Sequence, residues 1–297
     1  LDGDAFSDDM KSKVVAEIQS SLGQIDLFVY SLAAPLRQHP RTGIVHRSAI
    51  KPLGESFHVK SLNKDTGEVF DATLDPANDA ETEATIAVMG GEDWEFWIDS
   101  LMEGGVLAPE AKTVAYTYIG PAITHPVYRD GTIGRAKNHL EKTGLALNEY
   151  LQARNGSAHV STNKAMVTQS SAAIPVVPLY ISLLYKVMKE ENCHENCIQQ
   201  MHRLFTNRLY AGGPVPVDDQ GRIRIDDWEM REDVQEAVAV LWDQVTTENL
   251  EAISDISGYR EEFLNLFGFG LAGVDYQAEV DPERRLGSGG EQALSLR

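Results

Sequence analysis

The stretch that decides the fold is residues 112–137, KTVAYTYIGPAITHPVYRDGTIGRAK. Its first part, Lys112 to Ile119, is β-branched and aromatic and ends at a Gly-Pro pair, which predicts a buried strand closed by a turn. Apolar residues recur at helical spacing from Ile133 onward, which predicts a helix. The order is therefore a strand, a loop that holds Tyr128, and a helix with Lys137 in its first turns.

The residues before this stretch favour a βαβ unit. Residues 1–5 resemble the end of a strand, Ser7 is a suitable N-cap for the helix that follows, and Gly23 ends that helix. The nearly continuous apolar run of residues 25–32 is typical of a strand in a parallel sheet. A Rossmann-type sheet needs a glycine-rich turn after its first strand, and the GFGLAG of residues 268–273 does not follow a strand. We therefore expect a Rossmann-type parallel sheet whose first βαβ part is missing from this chain.

The remaining pattern predicts an inserted hairpin, one more strand and a helical end. The predicted elements are a hairpin over 56–74, helices over 79–89 and 92–103, a short buried strand over 165–168, a helix from the Pro175–Pro178 pair to near Lys189, and helices over 194–210, 228–245 and 249–267 with a break at Gly258. The fold class is thus α/β in one domain, residues 1–280. It comprises an incomplete Rossmann core, residues 1–190, and a C-terminal helical cover, residues 191–280. Residues 281–297 lack periodicity and are expected to form a loose tail.

Composition and charge limit the possible functions. The net charge of −19 argues against nucleic acid as a partner, because phosphates would be repelled. No run of 18 apolar residues is present, so no membrane span is expected. Two cysteines are too few for a disulfide framework, and no signal peptide is visible, so a cytoplasmic location is predicted.

Those two cysteines raise the question of a metal site. Cys193-His194-Glu195-Asn196-Cys197, with His202, resembles a zinc cluster in composition. The residues fall on or near one helix start, whereas structural zinc sites usually draw ligands from two separated pairs. Packing is the simpler interpretation, and no metal is predicted.

The segment from Leu36 to Lys60 is basic on an otherwise acidic chain. Its cations are Arg37, Arg41, Arg47, Lys51 and Lys60, against the single carboxylate of Glu55. Such a segment could attract an anionic group, for example a CoA phosphate or an acidic carrier protein. A solvated basic loop is the alternative.

Tyr128 and Lys137 are the candidate catalytic pair. Eight residues separate them, and Tyr180 and Lys189 repeat that spacing within one predicted helix, where nine steps of about 100° place the side chains on opposite faces. Tyr128 lies in a loop instead, so it can approach Lys137. In nucleotide-dependent reductases a phenol at this place meets a carbonyl and an ammonium meets a ribose, although a structural role for both residues remains open.

At these residues the sequence resembles the FabV/Ter type of trans-2-enoyl-CoA and enoyl-acyl-carrier-protein reductases, long relatives of the short-chain dehydrogenases. The resemblance covers nearly the whole chain. The matching runs are GDAFS (3–7), YSLA (30–33), VMGGEDW (88–94), the Tyr-x8-Lys pair, VTQSSAAIP (167–175) and EFLNLFGF (262–269).

The resemblance implies NADH-dependent reduction of the 2,3-double bond of enoyl thioesters in fatty-acid biosynthesis. It implies that Tyr128 donates a proton or stabilises the enolate, that Lys137 binds the nicotinamide ribose, and that Tyr118 contacts the substrate. The implied cofactor contacts are Asp4 and Ala5 at the adenine end, Leu32 and Ala33 near its ribose, and Met166, Val167 and Thr168 on the nicotinamide side. Residues 263–270 match a part of the family described as flavin-binding; without a phosphate-cradling feature, a helical cap is expected there.

The implied partners are enoyl-CoA or enoyl-acyl-carrier protein, with no nucleic acid and no membrane, and a monomer is expected. Two alternatives stay open. One is a CoA-specific short-chain enoyl-CoA reductase of fermentative metabolism, and the other is a non-catalytic nucleotide-binding protein.

Overall fold

A computed structural model describes residues 1–32 and 34–279. Its strands are β1 (Ile25–Tyr30), β2 (Leu36–Gln38), β3 (Val45–Arg47), β4 (Phe57–Asn63), β5 (Glu68–Leu74), β6 (Leu107–Thr117), β7 (Ser157–Thr162) and β8 (Arg222–Arg224). Its helices are α1 (Asp8–Ser21), α2 (Asp79–Met89), α3 (Glu92–Glu103), α4 (His125–Tyr128), α5 (Thr132–Gln152), α6 (Gln169–Ala172), α7 (Val177–Glu190), α8 (Cys197–Leu204), α9 (Glu232–Gln244), α10 (Leu250–Ile253) and α11 (Ile256–Asn265). The predicted loose tail at 281–297 lies outside the described residues.

A four-stranded parallel sheet in the order β1-β6-β7-β8 organises the molecule. Leu140 and Leu147 of α5 pack on one face of it, and Leu204 of α8 packs on the other. Apolar strands covered by helices on both faces are what buried parallel sheets require. The predicted α/β class is confirmed, and so is the inserted hairpin, formed by β4 and β5. No helix in the described ranges is both long and apolar enough to cross a membrane.

The prediction of a strand at residues 165–168 is wrong. The strand in this part of the chain is β7, which ends at Thr162. The reason lies in the backbone donors of the segment that follows. Asn163 N still donates to the carbonyl of Thr117 (3.0 Å), but Ala165 N donates to the carboxylate of Glu229 (2.7 Å). Because side chains rather than a neighbouring strand take the N–H groups of Lys164, Ala165, Val167 and Thr168, the segment after Asn163 does not belong to the sheet.

The predicted helical cover, residues 191–280, also contributes a strand. β8 is only three residues long and is the fourth strand of the sheet, with Ile223 fully buried. Its two arginines are held by nearby carboxylates, Arg222 by Asp218 (2.9 Å) and Arg224 by Asp226 (2.6 Å). A short strand with alternating charge carries no apolar pattern that the sequence could reveal.

Two element ends also differ from prediction. The break in the last helical region falls at Ser254 and Asp255, not at Gly258, because the Asp255 side chain accepts from Gly258 N (3.2 Å) and caps α11. Residues 1–5 form no strand, so the described part contains the predicted α1–β1 pair without the first strand of a βαβ unit. Ser7 caps α1 as predicted, accepting from Met10 N.

A buried cluster of charges joins the start of the chain to α3. Lys11 donates to Asp93 (2.8 Å), and Tyr30 donates to the other carboxylate oxygen (3.3 Å). Arg37 lies 4.0 Å from Asp93 and is bonded to Glu92 (2.8 Å). Lys11, Arg37 and Asp93 are each 1% exposed, so the cluster is shielded from water.

The cluster settles the interpretation of Arg37 in the basic segment. Its guanidinium also donates to the carbonyl of Ala87 (2.6 Å) and lies 5.7 Å from the ring centroids of Phe6 and Phe96. Arg37 is therefore neither available to an anionic ligand nor part of a solvated loop. It is a structural cation.

We expect Asp93→Ala to lower the free energy of unfolding by about 3–5 kcal/mol, because it leaves two buried cations without their shared carboxylate. Urea denaturation measures this change. The matched control is Glu95→Ala on the same helix, an exposed position where about 0.5 kcal/mol or less is expected. Equal losses in the two variants would contradict a stabilising role for the cluster.

Candidate active site

The candidate site lies where β6 and β7 leave the sheet. The two strands end level with each other, with Thr117 opposite Thr162. Ligands of open parallel sheets bind beyond the carboxyl ends of the strands. The hydroxyls of Thr117 and Thr162 are buried without a hydrogen-bonding partner among the described residues, so this edge retains unsatisfied polar groups.

Tyr128 packs against Tyr118 just beyond β6. Tyr128 is the last residue of the one-turn helix α4 rather than part of an irregular loop. Its ring meets that of Tyr118 edge-on, with centroids 4.7 Å apart and an interplanar angle of 83°. The ring is buried, yet within residues 1–32 and 34–279 its hydroxyl has no hydrogen-bonding partner. Burial, and secondly the carboxylate of Glu229, raise the pKa of Tyr128, so the phenol keeps its proton at neutral pH.

Lys137 approaches the same strand end from α5. Its ammonium donates to the carbonyl of Tyr116 (3.3 Å), two residues before Tyr118. Burial lowers the pKa of Lys137 to about 8, opposed by the carboxylate of Glu141 one turn further along the helix. The structure thus places both members of the predicted pair against the end of β6, Lys137 at a carbonyl and Tyr128 at a ring.

Glu229 is a residue of this site that sequence reasoning missed. Its carboxylate is fully buried and accepts from the Tyr118 hydroxyl (3.0 Å), the Tyr180 hydroxyl (2.7 Å) and Ala165 N (2.7 Å). In the sequence it lies in the acidic run Asp226–Asp233, which reads as a solvated charged segment. Nothing in its spacing distinguishes it from its neighbours.

The predicted nicotinamide-side residues, Met166 to Thr168, lie in the extended segment after β7. Val167 is buried and its N–H donates to the Tyr185 hydroxyl (3.3 Å), while the carbonyl of Met166 accepts from Ser171 Oγ (2.8 Å). Thr168 caps α6 in a capping box with Ser171. Side chains therefore fix the backbone of this segment on both sides.

The predicted adenine-side residues lie at the neighbouring edge, around β1. Asp4 is exposed and its side chain accepts from Phe6 N (3.0 Å). The carbonyl of Ala5 accepts from the indole N–H of Trp97 (3.2 Å). Leu32 follows β1 by two residues with its side chain exposed, and Ala33 lies outside the described residues.

Cys193 and Cys197 do not form the centre of a polar cluster. Cys193 is buried, Cys197 is exposed, and Asn196 caps α8 between them. Among the residues that the structure describes, no three His, Cys, Asp or Glu side chains converge to hold a metal ion.

Comparison with known proteins shows two matching family models. Residues 1–210 match the trans-2-enoyl-CoA reductase catalytic region, and residues 217–280 match the enoyl reductase FAD-binding domain. The enoyl-[acyl-carrier-protein] reductase [NADH] of Flavobacterium johnsoniae is 57% identical over 281 residues, which cover 95% of this chain and 71% of that protein. The protein of the same name from Coxiella burnetii is 55% identical over 290 residues, or 97% of this chain and 71% of that one.

A solved structure is similar as well. The crystal structure of Treponema denticola trans-2-enoyl-CoA reductase in complex with NAD has a TM-score of 0.90 and 51% identity. The likeness covers 94% of this chain and 70% of that one.

The second family model raises the question of a flavin, and residues 217–279 do not fit one. The matched segment has sixteen acidic residues against four arginines and no lysine. Every one of those arginines is held by carboxylates: Arg222 and Arg224 in β8, Arg231 by Asp233, and Arg260 by Glu251. The glycine-rich residues 268–273 are exposed and precede no helix in the described range, so this loop offers a flavin diphosphate neither a cation nor a helix N-terminus.

We therefore expect the protein to bind no flavin adenine dinucleotide. After incubation with excess flavin and gel filtration, the protein fraction should show no absorbance near 450 nm, because the acidic segment repels the diphosphate. Bovine serum albumin run in parallel controls for carry-over. Retention of one flavin per chain would contradict this assignment.

Proposed function

This chain belongs to the family of trans-2-enoyl-CoA reductases, and we propose that Tyr128 and Lys137 are the residues with which it reduces the 2,3-double bond of trans-2-enoyl thioesters. One observation carries the proposal. Tyr128 is buried against Tyr118 beyond the carboxyl end of β6, and among the described residues nothing accepts its proton. A preorganised donor that no other group engages is what a developing oxyanion requires.

NADH is the reductant, as it is in the names of the relatives. The residues at the sheet edge fit it: the unsatisfied hydroxyls of Thr117 and Thr162 and the ammonium of Lys137 lie where dinucleotides bind in parallel sheets. We propose that Lys137 holds the nicotinamide ribose. The other proposed contacts are Asp4 and Ala5 at the adenine end, Leu32 and Ala33 near its ribose, and the backbone of Met166, Val167 and Thr168 on the nicotinamide side. When bound, NADH supplies a hydride to C3 of the enoyl chain.

The part played by Tyr128 follows from where charge develops. As C3 is reduced, negative charge builds on the thioester oxygen, and the phenol donates a hydrogen bond to it. A proton at C2 then completes the saturated thioester, with Tyr128 as its donor or as the group that stabilises the enolate. Its raised pKa keeps the proton in place until that charge appears.

The substrate class we propose is the enoyl-acyl-carrier protein of fatty-acid synthesis, which the names of the relatives support. Enoyl-CoA presents the same thioester to the same two groups, as the name of the similar solved structure illustrates. Tyr118, in edge contact with Tyr128, is the proposed substrate-contacting tyrosine.

We further infer that residues 1–280 act as one reductase domain, as a monomer in the cytoplasm. One hydrophobic cluster joins Val127 and Tyr128 to α7, α9 and α11. Cys193 and Cys197 are free thiols, which is typical of a reducing compartment. The net charge of −19 disfavours nucleic acid and anionic membrane surfaces as partners.

Tyr128→Phe should lower kcat for reduction of crotonyl-CoA by about 10²- to 10³-fold, the usual effect of removing one oxyanion donor. Its melting temperature should barely change, since the hydroxyl has no partner among the described residues. Tyr150→Phe, at a half-exposed position on α5, is the matched control and should stay within about twofold of the parent. Near-normal turnover by Tyr128→Phe would overturn the proposed function.

The pKa of Lys137 predicts an alkaline limit to activity. If the ammonium form holds the ribose, kcat/KM for NADH should be constant below pH 8 and fall about tenfold per pH unit above it, because kcat/KM reports groups of the free enzyme. Lys137→Arg provides the check: a guanidinium does not lose its proton in this range, so the limb near pH 8 should vanish, whatever the overall rate. A limb that persists unchanged in Lys137→Arg would assign it to another group.

A further inference from the structure

The contacts of Glu229 link two parts of the proposed site. One carboxylate oxygen, Oε1, accepts from the hydroxyls of Tyr118 (3.0 Å) and Tyr180 (2.7 Å). The other, Oε2, accepts from Ala165 N (2.7 Å), at the start of the segment proposed to contact the nicotinamide side. Gln235 donates to the Tyr180 hydroxyl (3.1 Å) and to the carbonyl of Glu229 (2.6 Å). These two bonds hold Tyr180 and Glu229 in place relative to each other.

We propose that Glu229 is a positioning residue for the reduction. It commits the proton of Tyr118, so that Tyr128 is the one phenol of the pair able to donate to the thioester oxygen, and it holds the 163–168 segment in register with both tyrosines. This inference rests on the proposed function of Tyr128.

Tyr118 and Tyr128 differ in where their hydroxyl protons are donated. A phenol has one proton to donate. The proton of Tyr118 is donated to Glu229, so toward the substrate its oxygen can only accept a hydrogen bond. Tyr128 has a proton and no partner among the described residues. Toward the substrate, Tyr118 can therefore only accept a hydrogen bond, whereas Tyr128 can donate one. Glu229 causes this difference between two tyrosines in edge contact, because it accepts the proton of Tyr118.

Glu229 also holds the backbone of the 163–168 segment. After Asn163 the N–H groups of this segment are bonded by side chains: Lys164 N donates to Gln200 Oε1 (3.3 Å) and Ala165 N donates to Glu229 (2.7 Å). The same carboxylate orients Tyr118, whose ring packs against Tyr128. Hence one group sets the position of the substrate tyrosine relative to the backbone proposed to meet the nicotinamide.

The burial and the charge of Glu229 suit a positioning role. Glu229 is fully buried, and its carboxylate is satisfied by three donors. Burial raises the pKa of Glu229, and the hydrogen bonds from Tyr180 and Ala165 N and the ammonium of Lys164, itself 2% exposed, oppose that rise. Charge-assisted hydrogen bonds of this kind are about twice as strong as neutral ones, which suits a group that must fix orientation.

The position of Glu229 in the chain gives the C-terminal segment a role. It lies outside residues 1–210, which match the catalytic region, and inside residues 217–280, which match the flavin-domain model. That segment does not fit a flavin, but it supplies the carboxylate on which the proposed geometry depends.

The test is Glu229→Gln in the full chain. An amide has one acceptor oxygen where the carboxylate has two, so it can serve the phenols or Ala165 N, not both. We expect kcat with crotonyl-CoA to fall by roughly 10- to 100-fold, with KM for NADH and for the thioester changed by about threefold or less. A role in stability alone would leave kcat of the folded protein unchanged.

The matched control is Glu195→Gln. Glu195 is another buried carboxylate of the C-terminal part, 3% exposed, but its partners are Arg203 and Gln200 rather than the tyrosines. It should lower the melting temperature while kcat stays within about threefold. Equal losses of kcat in the two variants would overturn the proposal.

A double-mutant cycle with Tyr118→Phe asks whether Glu229 acts through Tyr118. In the Tyr118→Phe background, Glu229→Gln should lower kcat by a clearly smaller factor than in the parent, because the phenol that it orients is gone and only its bond to Ala165 N remains. Effects that simply multiply would refute the proposed coupling. Should Glu229→Gln fail to fold, Glu229→Asp keeps the charge and both oxygens but withdraws them by one methylene; unaltered kcat in that variant would also count against the proposal.

The outcome is separable from that of the proposed function. An active Tyr128→Phe defeats the function and the inference together. An inactive Tyr128→Phe with a fully active Glu229→Gln defeats only the inference.

Discussion

The parallel pairing of β6 with β7 sets the height at which both strands leave the sheet, and the candidate site follows from that register. With Thr117 opposite Thr162, the residues that come next, Tyr118 and Asn163, emerge side by side at one edge. A shift of one residue would turn every side chain of a strand to the opposite face. The two strands would then no longer end level with each other, and Tyr118 and Asn163 would not emerge side by side.

The second constraint on this acidic protein is that its buried charges need partners of opposite charge nearby in space. Lys11 and Arg37 share Asp93, and Arg203 is held by Glu195 and Asp227. In each case a buried ion has a partner of opposite charge within 4.0 Å, as a low-dielectric interior requires. Glu229 differs, because its donors are two phenols and a backbone N–H. A buried carboxylate without a direct ion pair is a costly arrangement, which is why we look to the site rather than to stability for its purpose.

The parts of the fold that the sequence predicted are those specified by neighbouring residues. Ser7 and Gly23 bracket α1, a Gly-Pro pair ends the buried run of β6, and the Tyr128–Lys137 spacing follows from a strand, a turn and a helix start. The parts it did not predict depend on partners far along the chain. Arg37 looked like a surface cation because Glu92, its partner, is 55 residues away. The apolar residues 165–168 looked like a strand because the carboxylate that takes their first N–H lies 64 residues further on.

Glu229 could not be recognised from the sequence for the same reason: its partners lie far along the chain. A carboxylate in an acidic run carries no local sign of burial; only the sheet, by bringing β7 and β8 together, places residues 163–168 beside residues 226–229. Once there, Glu229 gives the two adjacent tyrosines unequal roles. Tyr118 and Tyr128 have the same side chain and share one edge contact, so ring chemistry alone cannot decide which of them donates to an enolate. The decision is made by the acceptor that one of them has and the other lacks among the described residues. Tyr118 donates its proton to Glu229, and we therefore propose Tyr128 as the donor at this edge of the sheet.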